Sequence, residues 1–313
     1  MLSRAASRIV KNEMTDSGRW SAYQPRAGDI IIGTAPKVGT HWTLQIVSLL
    51  VFQSPAPRDL AFAPRLDAQF LAPLNEVLTK IESQAHRRIL FTHLPFDAIP
   101  IYDDVRYLHV ARDGRDVCMS MLNHFNNMTT GHVDRFAENR GNGEAIERAR
   151  GQSSRGPREF FLHWIEAGAG HEIDRAGWFF ETERSYWWER HRPNLLLLHF
   201  NDLKVNLSDE MRRVSAFLDI PVNEAIWPKL VEAATFASMK QNGAQILAKL
   251  EHLFRGGHET FLHQGTNDRW REVLTEADLE LYENQAQTAL SPGLFNWLRH
   301  GRRVAGDPVS MRD

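Results

Sequence analysis

Residues 29–43 read Asp-Ile-Ile-Ile-Gly-Thr-Ala-Pro-Lys-Val-Gly-Thr-His-Trp-Thr, an apolar strand that runs through Pro36 and Lys37 into Gly39 and then a long apolar helix. Three further short apolar runs, Ile89 to His93, Tyr107 to Ala111 and Leu195 to Phe200, also read as buried parallel strands. Between them, Gly39 to Phe52, Asp113 to Asn126, Pro157 to Ala167 and Trp178 to Arg190 carry helical periodicity. This alternation predicts an α/β fold, a P-loop-like, doubly wound parallel sheet with helices on both faces, in a single domain over residues 28–300. Ligands of such a sheet sit beyond the carboxyl ends of its strands. Ser208 to Leu218, Asn223 to Ala233 and Glu276 to Ala289 read as later helices, with Ser208 and Asn223 as caps. Residues 1–27 read as a frayed N-terminal tail and 301–313 as a C-terminal one.

The first strand-to-helix junction suits an anion. The leading N–H groups of a helix lack intrahelical partners and the macrodipole adds partial positive charge, so Val38, Gly39, Thr40 and His41 can ring a phosphate while Lys37 adds a full charge. The spacing resembles a Walker A loop but departs from it, because Lys37 precedes Gly39 and Thr40. A magnesium-triphosphate grip is therefore not expected; the ammonium is placed to reach a bond being broken at the distal end of a nucleotide.

The rest of the composition excludes several classes. With 37 basic against 39 acidic residues the chain has almost no net field, which argues against wholesale nucleic-acid binding. A single cysteine, Cys118, makes no internal disulfide, and no Cys/His cluster has zinc spacing, so a reducing, cytoplasmic setting without a structural metal is expected. The best apolar run, Ile46 to Phe52, is far shorter than the roughly 20 residues of a membrane span. Thr129 to Arg155, rich in Gly, Asn, Arg and Glu without apolar period, reads either as a mobile loop over the site or as a partly disordered excursion.

Two more constellations carry chemistry. Phe91-Thr92-His93-Leu94-Pro95 ends a strand with a histidine, and a neutral imidazole can take a proton from an attacking alcohol. In Val110-Ala111-Arg112-Asp113-Gly114-Arg115-Asp116, a strand end turning into a helix can aim the Arg112 guanidinium, and the Ser120 hydroxyl two turns later, at a second phosphate. Arg115 reads instead as the partner of a helix-start aspartate.

Together these segments resemble the cytosolic sulfotransferase family, whose donor is 3′-phosphoadenosine 5′-phosphosulfate (PAPS) and whose product is adenosine 3′,5′-bisphosphate (PAP). The family's Tyr-Pro-Lys-Ser-Gly-Thr-Thr-Trp stands here as Ala35 to Trp42. The resemblance implies that Lys37 binds the bridging oxygen, that Val38, Gly39, Thr40, His41 and Trp42 hold the 5′-phosphate, and that Trp42 stacks on adenine. It makes His93 the base and gives Arg112 and Ser120 the 3′-phosphate, with Ser120 also counted among the catalytic groups. Phe200, Phe236 and Met239 match positions near the adenine, while His263 and Gly265 align with the family's Arg-Lys-Gly signature. Where the family has cations, this chain has Phe91, His263 and Gln264, so those charges are missing or come from elsewhere.

Bottom-up, the residues fit the same chemistry: displacement at sulfur asks for positioning and charge stabilisation. No acidic magnesium ligand follows a strand, consistent with a metal-free reaction. The aromatic and apolar set Leu66, Phe70, Phe96, Phe125, Phe161, Trp164, Trp178, Phe179, Trp187 and Trp188 suggests a dry pocket for a small aromatic, lipidic or glycolipid-like alcohol. A P-loop small-molecule kinase and a non-catalytic nucleotide-binding homologue stay open as alternatives. The family's C-terminal dimer motif is absent from Leu298 to Asp313, so no oligomeric state is implied.

Overall fold

The computed structural model describes residues 1–12, 14–129, 155–166 and 176–313. Its strands are β1 (Leu2–Arg4), β2 (Ile30–Gly33), β3 (Ile89–Thr92), β4 (Ile101–Tyr102), β5 (Arg106–Ala111) and β6 (Leu195–His199). Four of them form a parallel sheet in the order β3-β2-β5-β6, with Ile31 opposite both Leu90 and Tyr107 and Leu108 opposite Leu196. The chain thus steps outward from β2 to β3 and returns to the other side of β2 for β5. Such a reversal opens a crevice at the carboxyl ends of β2 and β5.

The α-helices longer than one turn are α1 (Thr40–Phe52), α2 (Leu74–Glu82), α3 (Gly114–Asn127), α4 (Pro157–Glu166), α5 (Ala176–Trp188), α6 (Phe200–Val205), α7 (Leu207–Phe217), α8 (Trp227–Ala233), α9 (Phe236–Gln241), α10 (Gly257–Leu262), α11 (Glu276–Ala289) and α12 (Pro292–His300). Alternation along β5 shows how the sheet is covered. His109 and Tyr107 face α5 and its neighbour Phe96, through Glu183 and Tyr186, whereas Val110 points to the start of α1. Helices therefore cover both faces, as the alternating pattern predicts. α1 is buried from Trp42 to Leu50 because α7 and α8 cover it in turn.

Four sequence expectations shift. His93 lies just past β3 instead of closing it, and Phe200 opens α6 because the preceding His199 caps that helix through its ring nitrogen. Asn206 caps α7, while Ser208 instead accepts from the Trp227 indole at 3.0 Å. α8 starts at Trp227; Asn223 braces the turn ahead of it by accepting from the Ala225 N–H.

The N-terminal segment is not frayed. β1 pairs antiparallel with β4, Trp20 and Tyr23 are buried, and the Tyr23 hydroxyl donates to Asp29, which also takes the buried Arg88. At the other end Asp313 accepts from the Trp187 indole at 2.8 Å and pairs with Arg190 at 3.1 Å. Of the glycine-rich excursion, all but Thr129 and Arg155 lies outside the described residues.

Candidate active site

The β2–α1 loop has an unusual backbone. Lys37 has φ 68° and Gly39 has φ 118°, two left-handed positions flanking Val38. Alternating handedness of this kind curls successive N–H groups toward one point, a concavity that receives anions. Only glycine fits at position 39: the conformation is strained for any other residue, and a Cβ there would stand 3.1 Å from the Phe200 ring. Behind the loop, the Thr34 and Thr40 hydroxyls share a hydrogen bond of 2.7 Å.

Cations converge on this concavity. The Lys37 ammonium lies 4.6 Å above the Phe261 ring and donates to His124 Nδ1 at 3.4 Å. Burial, with the neighbouring Arg112 and Arg269, holds its pKa down to about 8. The buried Arg112 donates to Asn267 Oδ1 at 3.1 and 2.8 Å, to the Thr266 carbonyl at 2.8 Å and to the Lys37 carbonyl at 3.4 Å, with Phe200 stacked 4.2 Å away. Burial lowers its pKa to about 10, and Arg269 adds to that against the opposing pull of Asp116. Arg269 donates to His263 Nδ1 at 3.2 Å and Lys240 to the His263 carbonyl at 3.0 Å. Among the described residues, every hydrogen-bond acceptor of these four cations is neutral: a carbonyl, an amide or an imidazole. Gathering several cations in a half-buried place is costly even with Asp116 nearby, and a bound polyanion lowers that cost.

His93 lies on the same rim. Its Nδ1 stands 2.9 Å from the Thr34 carbonyl, an acceptor only, so Nδ1 carries the proton and Nε2 keeps the lone pair. Burial and then the nearby Arg65 hold its pKa well below the ordinary value, so the ring stays neutral near pH 7. Aromatic contacts connect it to Lys37: Phe91 lies 5.8 Å from His93 and 6.2 Å from His41, and Phe261 lies 4.9 Å from His41. His41 is kept neutral as well, its pKa lowered to about 3 by burial and by Lys37.

The structure brings Lys37, Val38, Gly39, Thr40, His41, His93 and Arg112 together. Ser120 is half-buried and lies one turn before His124 on α3, hence on the face that meets Lys37. Trp42 is fixed by its indole N–H on the Ala234 carbonyl at 2.7 Å and stands edge-on to Phe200 at 5.3 Å. Phe200 supports Gly39 and Arg112 from beneath. Phe236 packs so closely on Gly265 that a Cβ there would come within 2.6 Å, while Met239 is in the core. Arg115 pairs with Asp113 at 2.6 Å, as its position at a helix start predicts.

Around His263, where the family has a cation, two other cations stand close by, Arg269 and Lys240, both bonded to His263. Asp116 fixes this arrangement: its carboxylate accepts from the Asp268 N–H at 2.7 Å, which sets Asn267 and Arg269 beside Arg112. Burial pushes Asp116 up to about 6. Arg65, bonded to Asp67 at 3.0 Å and to the Thr15 hydroxyl at 3.2 Å, is the cation nearest in effect to His93.

Most of the aromatic set assigned to a pocket packs the core. Phe161, Trp164 and Phe179 pack as tilted rings against one another, with Phe161 also against Tyr282, Trp187 meets Trp297, Phe96 meets Tyr107, and Trp188 is largely exposed. Phe125 does stand 6.0 Å from His124. The Lys37 ammonium rests on Phe261, which packs in turn on Phe254 and His41, with Phe91 beyond His41; hydrophobicity along the chain does not distinguish these rings from core.

Fold and site define an anion-binding α/β protein of the P-loop-like kind. The model of the sulfotransferase domain matches residues 27–292, and the chain belongs to the sulfotransferase family. It is 31% identical to a glycolipid sulfotransferase of Mycobacterium bovis over 314 residues, covering 94% of this chain and 95% of the relative. A glycolipid sulfotransferase of Mycobacterium tuberculosis is 32% identical over 316 residues, with the same coverage. Among solved structures, a mouse sulfotransferase complexed with PAP aligns with a TM-score of 0.67 at 16% identity, over 92% of this chain and 94% of that one. Retinol dehydratase in complex with androsterone and PAP aligns at 0.65 and 19% identity, over 86% and 82%. At that identity the two structures speak for the fold alone. The chain is thus a transferase enzyme of this family. No helix among the described residues is long and apolar enough to cross a membrane, and no cluster there could hold a metal ion.

Proposed function

We propose that this enzyme moves a sulfuryl group from PAPS to a hydroxyl of a lipidic acceptor, with a glycolipid as the favoured class. The observation that carries this reading is the set of four cations whose hydrogen-bond acceptors among the described residues are neutral, Lys37, Arg112, Lys240 and Arg269, on the same rim as a neutral histidine whose Nε2 keeps its lone pair. PAPS fits that set by charge, carrying two phosphate groups, and would supply an activated sulfuryl whose bond to the 5′-phosphate oxygen breaks as one to the acceptor oxygen forms.

Each residue then has a defined task. The amides of Val38, Gly39, Thr40 and His41 receive the 5′-phosphate, and Lys37 steadies the charge that grows on its bridging oxygen. Arg112, with the Ser120 hydroxyl, takes the 3′-phosphate; Arg269 and Lys240 add charge where the family signature has its own cations. Trp42, Phe236 and Met239 border the adenine. His93 Nε2 accepts the acceptor's proton, and its lowered pKa keeps that nitrogen unprotonated. Support for a lipidic acceptor comes from the two mycobacterial relatives and from the rings beside the reacting groups, Phe261 under the ammonium and Phe91 against His93.

Calorimetry with PAP and with magnesium-ATP tests the donor. PAP is expected to bind more tightly, with or without EDTA; preference for ATP would turn the assignment toward a kinase. His93→Ala is expected to abolish transfer while retaining PAP binding, and unchanged turnover would remove His93 from its role.

A further inference from the structure

Beneath the catalytic loop lies a polar cluster that the transfer reaction does not use. His109, in the middle of β5, is fully buried and stands at 2.8 Å from the Gly33 carbonyl through Nδ1 and 2.9 Å from Glu183 Oε2 through Nε2. Because a carbonyl only accepts, Nδ1 donates to Gly33, and a single proton lies between Nε2 and the Glu183 carboxyl. The imidazole is stacked on Tyr186 at 4.1 Å with an interplanar angle of 13°. The Tyr186 hydroxyl donates to the Leu94 carbonyl at 3.2 Å and occupies the space where a Cβ on Gly33 would lie, 1.8 Å away. One turn of α5 also supplies Ser185, whose hydroxyl accepts from the Phe96 N–H at 2.8 Å.

These contacts end on two particular peptides. Gly33 immediately precedes Thr34, whose carbonyl receives the His93 Nδ1–H, and Leu94 immediately follows His93. The cluster therefore grips both chain segments that determine where His93 points. A buried imidazole–carboxylate pair contributes little net stability, since desolvation offsets its attraction, and Glu183 Oε1 is left without a partner. What it does supply is a fixed geometry: removing either partner strands a polar group where water cannot reach.

We infer that His109, Glu183 and Tyr186 form a clamp that fixes the Thr34 carbonyl against His93 and so sets the tautomer and aim of the proton acceptor. They are positioning residues, touching neither nucleotide nor acceptor. The inference rests on the assignment of His93 as base only for its consequence, since the clamp itself is a matter of geometry.

The test uses Glu183→Gln, which keeps shape and removes the acid, and Tyr186→Phe, which keeps the stacked ring and removes only the hydroxyl. Nitrogen-15 NMR of the imidazoles reports the His93 tautomer, and PAP calorimetry reports the phosphate cradle. In the unaltered enzyme His93 is expected as the Nδ1–H form alone. In each variant both tautomers are expected, with PAP affinity held within about twofold because the cations are untouched. A single unchanged tautomer in either folded variant overturns the clamp, as does a loss of PAP affinity of about tenfold in parallel, which would mean general loosening of the site. Failure of the unaltered enzyme to bind PAP would count against the functional reading and leave the tautomer to decide the clamp.

Discussion

The β2–α1 junction and the turn between α10 and α11 both deliver positive charge to one anion site, but they do so by different means. At the junction, the strand, the left-handed Lys37 and Gly39, and the first turn of α1 follow one another along the chain, so geometry and charge are set locally. At the turn, Arg269 reaches the site only because Asp116 of α3 holds the Asp268 N–H and Asn267 bonds Arg112. Local backbone rules dictate the first. Tertiary contacts assemble the second, and the residue types there can move to new positions as long as the charge arrives.

The largest effect that separates the two regions should come from Lys37→Ala. On the role proposed for Lys37 at the leaving oxygen, its loss is expected to lower turnover about 10³-fold, measured as PAP released from PAPS with a glycolipid acceptor, while the fold persists. If turnover instead fell no further than in an Arg269 variant, the two regions would be equivalent and the local junction would have no special part in the reaction.

This contrast also explains what the sequence made legible. Ile30 to Gly33, Tyr107 to Ala111 and the helices from Thr40 and Gly114 follow from apolar runs and their period, because buried parallel strands and their covering helices leave few other patterns. Lys37, His93 and Arg112 were readable because each sits at the carboxyl end of a strand, where the topology places ligands. Arg269 and Phe261 were not, since they lie in a short helix and a turn whose paths depend on long-range partners such as Asp116 and His263. His124 could have been found: it stands one turn from Ser120 on a helix already identified. Phe161, Trp164 and Phe179 misled in the other direction, because a large aromatic ring looks the same in a sequence whether it lines a pocket or fills a core.

Arg269→Ala sharpens the comparison at a smaller scale. A hydrogen bond to a charged partner is worth about 1.5–3 kcal/mol, so the loss of one predicts PAP binding weaker by at least about tenfold, with turnover of bound PAPS altered little. The readout is the split between affinity and turnover. An equal fall in both would place Arg269 on the reacting sulfuryl and erase the distinction between gripping and reacting charges.

The smallest expected effect is one of pH, and it links the two regions directly. Lys37 has its pKa lowered to about 8, so the ammonium loses its proton as pH rises through that value, and a ligand that needs the charge binds less well above it. Between pH 7 and 8.5 the protonated fraction falls about fourfold, which sets the expected loss of PAP affinity. Arg112, held near 10, keeps its charge across that interval. Lys37→Ala should flatten the profile. Arg269→Ala should move the fall to higher pH, because Arg269 is one of the charges that depresses Lys37 and its removal lets the ammonium hold its proton longer. A profile that keeps its midpoint in the Arg269 variant would mean that the turn and the junction do not sense each other's charge, and that burial alone sets the Lys37 ammonium.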